Sequence, residues 1–427
     1  MRSAVTALTL ATATMAQAEN RIDVVRPDAP ALAAYGAFKV GVTTLTFVNE
    51  DQIDLVNTPA EGDVPIYDRP LTVEVWYPAA SDTTSGSSFE VILRDGESTA
   101  TLTGQAARDA QPRTTGTFPL VIVSHGYPGN RFLMSPLAEN LASKGYVVAS
   151  IDHRDSTYDD QTAFGSTLVN RPWDQRFVLD QMTDLDSDLG AIIEDDNAAI
   201  IGYSMGGYGA LIYAGAGVTE ASTQYSWGAP QGLLDRNRMG SQSHRELEDD
   251  RVKAFVAFGP WGNNTGFWDA DGLAGVDKPL MLIAGSVDSV SVYEAMRGIF
   301  EGTLNTTRHL LTFQNANHNA GAPMPAPVES YALPAVNGWF PFEHYADPVW
   351  DNTRMNNISQ HFITAYLDLH LKGDAAKADY LDLVPSGAEA VWSLDDAGQP
   401  TETHTYWEGF REQSAVGLRF ETRQAGE

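Results

Sequence analysis

The chain has no cysteine. That excludes disulfide frameworks, thiolate metal sites and cysteine nucleophiles together. A chain of 427 residues needs no such staples, because a domain of this size can bury a sufficient apolar core. Basic residues are scarce: 27 Lys and Arg stand against 56 Asp and Glu, a formal net charge of −29. A surface so negative repels nucleic acid and anionic headgroups, and neither is an expected partner. Beyond the first residues no apolar run is long enough to span a bilayer. Internal repeats and low-complexity linkers are absent as well.

The first residues have their own pattern. Met1-Arg2 is followed by an uncharged stretch from Ala4 to Ala13 and by Ala16-Gln17-Ala18, a small-x-small cleavage site. This predicts a secretory leader over 1–18 and export to a bacterial periplasm or the medium.

The stretch around which the rest is organised runs from Ala198 to Gly209. Ala198-Ala199-Ile200-Ile201 is a short apolar run suited to a central strand. Gly202, Gly206 and Gly207 surround Ser204, and an Ala- and Leu-rich stretch follows. Strand, tight turn and helix around G-x-S-x-G make a nucleophile elbow, in which a side chain at Gly202 or Gly206 would collide with its neighbours. The turn lifts a serine hydroxyl above the sheet, where a base can activate it.

Periodicity places the other elements. Residues 38–48 and 71–77 read as antiparallel strands, and 89–113 as a polar, irregular surface excursion. A buried strand at 120–123 precedes a helix at 137–144 and a strand at 147–151. An amphipathic crossover helix is predicted over 173–194. After the elbow come a polar connection at 218–250, strands at 252–258 and 280–284, a helix at 292–300, a last strand at 309–313 and a terminal helix at 358–371. Strands alternating with helices predict an α/β fold: a mostly parallel sheet of about eight strands, covered on both faces. The expected organisation is one domain over 19–373, with insertions at 218–250 and 323–351. Residues 374–427 form an extension packed on that domain.

In such a sheet the catalytic residues sit at the carboxyl ends of strands, in the order Ser, acid, His. His125 and His153 precede the serine, His309 lies at the wrong end of its strand, and His361 and His370 fall in the terminal helix. His318, just past the last strand, is the candidate base, with His344 the alternative. Asp288, after the strand at 280–284, is the candidate acid, with Asp269 and Asp271 as alternatives. The backbone N–H groups of Tyr127 and Met205 are candidate oxyanion donors. No cofactor or metal is required. Asp159-Asp160 and Asp195-Asp196 are read as solvated carboxylates rather than cation ligands.

The chain resembles the α/β-hydrolases, and within them the platelet-activating-factor acetylhydrolase and dienelactone-hydrolase-like group. The resemblance rests on Phe118-Pro119-Leu120 through Ser124-His125-Gly126, on Leu141 to Tyr146, and on Ile151-Asp152-His153-Arg154-Asp155. With the elbow, His318 and Leu371-Lys372-Gly373-Asp374 it covers roughly residues 70–374. It implies hydrolysis of carboxylic esters through an acyl-enzyme. One departure stands out. In the acetylhydrolases the acid follows the strand after the elbow, whereas here that strand ends Phe258-Gly259-Pro260-Trp261. The acid has moved to Asp288, as in dienelactone-type and polyester hydrolases, and no cysteine occupies the elbow.

The expected function is therefore an exported serine esterase acting on a small-molecule or polymeric ester. An amidase or peptidase with the same triad, a polyester or phthalate-type hydrolase, and a non-catalytic binding member are the alternatives. The aromatic segment 323–351, with Trp339, Phe340 and Phe342, is the candidate substrate wall, faced by Tyr127 and Trp261, the alternative being that its aromatics only anchor a long loop to the body.

Overall fold

The computed structural model describes residues 19–161 and 163–427. The leader expected over 1–18 lies outside the described residues. Six strands run parallel, side by side: Arg308–Phe313, Leu280–Gly285, Val252–Phe258, Ile193–Tyr203, Phe118–Ser124 and Val147–Asp152. Ile66–Ala79 joins antiparallel to Val147–Asp152, and Lys39–Ile53 pairs antiparallel to it. The two-residue strand Ala107–Arg108 ends this side of the sheet. On the far side Leu418–Arg423 adds an antiparallel edge strand, making ten strands in all.

The central strands are buried along their whole length, as parallel strands covered on both faces must be. Their side chains alternate between two cores. Val121, Val123, Ala199 and Ile201 face one, and Leu120, Ile122, Ala198 and Ile200 the other. Helices Ser135–Ser143 and Asn352–Leu371 cover the first face. Phe164–Thr183, Met205–Tyr213 and Tyr293–Gly302 cover the second. Local chemistry sets the ends of Asn352–Leu371. Asp351 accepts the Arg354 N–H at 2.8 Å, and Gly373 leaves the helix with φ 66°.

Three sequence expectations need correction. The excursion at 89–113 is not irregular. Ser87–Ile92 and Thr99–Gly104 form a hairpin, joined by Asn20–Arg21, in a separate three-stranded sheet. Its inward residues Phe89, Val91, Ala100 and Leu102 pack with Trp76 and Phe132. The strands are only six residues long, and the inward positions of the second include Ala100 and Gly104, too small to mark the alternation clearly. The crossover helix spans Phe164–Thr183, not 173–194, with Pro172 in its interior. Proline there removes the N–H that would bond the Leu168 carbonyl. Here that carbonyl accepts from Asn237 Nδ2 at 2.9 Å and Tyr208 Oη at 3.1 Å. Finally, 309–313 is not the last strand, because Leu418–Arg423 follows it.

Candidate active site

The elbow gains its shape from close backbone approach. A Cβ on Gly202 would lie 2.1 Å from the Gly206 carbonyl oxygen, and one on Gly206 would lie 2.0 Å from that of Ser124. Neither can carry a side chain. Ser204 is held at φ 54°, ψ −112°, a conformation a non-glycine residue rarely adopts. Its N–H is fixed on the Phe258 carbonyl at 2.8 Å, and its own carbonyl accepts from Tyr208 at 2.9 Å.

Two further strand ends supply the partners. Asp288 follows Leu280–Gly285, and His318 follows Arg308–Phe313. Their side chains meet, His318 Nδ1 to Asp288 Oδ2, at 2.8 Å. The other oxygen, Asp288 Oδ1, accepts the backbone N–H groups of Val290 and Ser291, each at 2.8 Å. Burial opposes the Asp288 charge, but His318 and these donors outweigh it and hold the carboxyl below its usual range. With Nδ1 engaged, Nε2 is the imidazole nitrogen left for other work. The ring lies against Tyr203, centroids 5.2 Å apart, and Tyr203 donates to Asn319 Oδ1 at 2.9 Å. Gly259, at φ 48°, leaves room beside it: a Cβ there would meet the His318 ring at 3.3 Å.

Ser204 and His318 line one cavity of about 980 Å³. Gly126 and Tyr127 form part of its wall, and a Cβ on Gly126 would come within 3.3 Å of the Ser204 Cβ. Met205, the other candidate oxyanion donor, is the first residue of helix Met205–Tyr213. The loop of Tyr127 is anchored from beneath. His125 Nδ1 bonds the Gly126 carbonyl at 2.7 Å, and the buried Arg171 guanidinium donates to the carbonyls of His125 and Gly126.

The aromatic segment divides in two. Trp339, Phe340 and Phe342 line the cavity, joined by Tyr331. Tyr345 is buried, and Trp350 packs on Phe313 while donating from Nε1 to the Gln314 carbonyl at 2.8 Å. Trp261 is not among the residues lining the cavity. It sits in a cluster with Phe164, Tyr208, Tyr225 and Phe267. Its ring packs on Phe164, which in turn packs on Tyr127 of the cavity wall at 5.3 Å, and its backbone N–H donates to the Ser204 carbonyl at 3.3 Å.

The alternatives take other roles. Asp269 caps helix Ala270–Ala274, accepting the Gly272 N–H at 2.8 Å. His344 lines the cavity with no carboxylate partner among the described residues, its ring against Tyr158 and Tyr345. Burial, with Arg94 and His318 nearby, pushes its pKa down to about 3. Among the described residues no group of three or more His, Cys, Asp or Glu could hold a metal ion.

A second Ser-His-Asp constellation was not foreseen. Ser124 Oγ and His153 Nε2 lie 2.8 Å apart, and His153 Nδ1 lies 3.0 Å from Asp174 Oδ2. Its distances alone fit a triad. However, Ser124 is 0% and His153 1% exposed, and neither lines the cavity. Arg69 clamps Asp174 through two hydrogen bonds of 2.8 and 2.9 Å. Burial pushes the His153 pKa down to about 3. No substrate carbonyl can reach this serine, so the group acts as a buried brace.

The model of the family described as platelet-activating factor acetylhydrolase, isoform II, matches residues 79–173. A solved ferulic acid esterase from Streptomyces cinnamoneus superposes with a TM-score of 0.55 over 83% of this chain and 94% of that one, at 20% identity. This chain has the α/β-hydrolase fold. Among curated proteins, the chain is 25% identical to cutinase est1 of Thermobifida alba over 211 residues, 49% of this chain and 56% of the relative. It is 37% identical to the platelet-activating factor acetylhydrolase of Bos taurus over 76 residues, 17% of each chain. The chain thus spans about half the length, or less, of these curated relatives.

Proposed function

We propose that the chain is a serine hydrolase of carboxylic esters. Ser204 attacks the ester carbonyl, and His318 Nε2 takes the hydroxyl proton and passes it to the leaving alcohol. Asp288 fixes the imidazole tautomer and stabilises the imidazolium. The backbone N–H groups of Tyr127 and Met205 receive the oxyanion, and water then releases the acyl group along the same path. The observation that carries this reading is a strained elbow serine sharing one cavity with a carboxylate-anchored histidine. The likeness to a cutinase and an acetylhydrolase supports ester over amide chemistry. The wall of Trp339, Phe340 and Phe342 favours an ester with a bulky apolar part.

Turnover of short 4-nitrophenyl esters against the matching 4-nitroanilides tests the reading. Ester turnover with little anilide cleavage is expected. The reverse ratio makes the chain an amidase, and no turnover of either removes the hydrolase reading. Export belongs to the same proposal. It is checked by the first residue of protein recovered outside the cytoplasm, expected to be Glu19.

A further inference from the structure

The small three-stranded sheet brings one cation to the cavity. The turn after Ser87–Ile92 presents Leu93-Arg94-Asp95-Gly96, and Arg94 lines the cavity wall. Among the described residues that line it, it is the single Lys or Arg. The turn is firmly seated. Asn130 Nδ2 ties the Ile92 carbonyl at 3.0 Å to the segment just beyond Tyr127. Gly96, at φ 79°, lies so close to Tyr158 that a Cβ would come 2.6 Å from its carbonyl oxygen.

In a chain with 56 acidic residues, the Arg94 side chain nevertheless has no ion-pair partner among the described residues. Its Nη1 is shut from solvent without a hydrogen bond, and among the described residues no carboxylate pairs with it. Asp95, next in the chain, and Glu343 and Asp347, which line the same cavity, are engaged elsewhere. Asp95 turns into its own turn, accepting the Ser98 N–H at 3.0 Å and the Ser98 hydroxyl at 2.6 Å. Glu343 accepts the Phe340 N–H at 2.9 Å. Asp347 accepts the N–H groups of Asn317, Val349 and Trp350 at 2.7 to 2.8 Å. His344, beside Arg94, is neutral and brings no counter-charge. An unpaired, partly desolvated guanidinium is costly unless something completes it. A carboxylate or phosphate oxyanion matches its planar donors better than any neutral group.

We infer that Arg94 binds an oxyanion carried by the substrate, so that the preferred ester is an acidic one, with a carboxylate or phosphate remote from the scissile bond. This rests on the esterase reading of the cavity. It makes Arg94 a specificity determinant rather than a catalytic residue.

The test compares the full-length protein with Arg94→Gln and Arg94→Lys on three 4-nitrophenyl esters. One is the uncharged butyrate, one the glutarate hemi-ester, and one a butyrate bearing a terminal phosphate. In the parent protein, at least one charged ester should have the higher kcat/KM, and which one identifies the anion. Arg94→Gln should cut that charged-to-uncharged ratio about tenfold or more, chiefly through KM, with Arg94→Lys in between. A ratio unmoved by Arg94→Gln overturns the inference while leaving the esterase reading intact. Should the parent turn over none of the three, the esterase reading fails and binding decides. Glutarate or inorganic phosphate should raise the melting temperature of the parent but not of Arg94→Gln, and equal shifts in both overturn the inference.

Discussion

Two serines are associated with a histidine–carboxylate pair: Ser124 bonds His153 directly at 2.8 Å, and Ser204 shares a cavity with His318. Ser204 opens on the cavity, whereas Ser124 lies inside the sheet. Ser204→Ala and His318→Ala should each reduce ester turnover to near background. Asp288→Asn should lower kcat by roughly 100- to 10,000-fold, because the imidazole loses the acceptor that fixes its tautomer. Ser124→Ala should retain most turnover yet lose about 1–3 kcal/mol of stability, since His153 Nε2 would be left without its buried partner. Melting curves and steady-state rates on the four variants check this contrast. Chain order and strand ends alone were enough to propose Ser204, Asp288 and His318 from the sequence. The Ser124 group was not legible there, because residues 124, 153 and 174 become neighbours only through sheet order. Arg94 left no sequence signal either, being one arginine in a stretch whose strands are short and half polar.

The alternating βα pattern was readable because buried parallel strands are continuous apolar runs. The crossover helix was misplaced because Pro172 reads as a boundary. A side chain 65 residues later, Asn237, completes the broken turn by bonding the carbonyls of Leu168 and Val169 at 2.9 and 3.0 Å. Asn237→Ala should therefore cost about 1–3 kcal/mol, measured by urea unfolding, as two buried carbonyls lose a donor. The 323–351 segment makes a second case, with one part lining the cavity and another holding the segment down. Phe342→Ala should change relative specificity constants among acyl groups by roughly 1–3 kcal/mol. Trp350→Ala should lower the melting temperature and leave those ratios unchanged. The opposite pattern would exchange the roles of wall and anchor.

Across the whole molecule, charge and buried histidines set the response to pH and salt. Burial pushes His153, His309 and His361 down to about 3, so all three are neutral in the fold. Unfolded, each binds a proton near pH 6.5. Between about 3 and 6.5 the unfolded chain therefore holds more protons, and stability falls as pH falls, by up to about 1.4 kcal/mol per pH unit for each histidine. The net charge of −29 acts in the other direction only once carboxylates titrate, nearer pH 4. Urea unfolding should consequently show a loss of stability from pH 6.5 to 5, and added salt should stabilise the protein at pH 7 by screening its self-repulsion. A flat profile over that window would mean that these histidines are protonated in the fold. The central claim, that Ser204 is the nucleophile of an ester hydrolase, is tested most directly by covalent capture. The full-length protein is treated with a fluorophosphonate, and the modified residue is located by peptide mass spectrometry. One adduct, on Ser204, lost in His318→Ala and accompanied by loss of ester turnover, is the expected result. An adduct on Ser124, or ester turnover that persists in a protein fully labelled at Ser204, would contradict it.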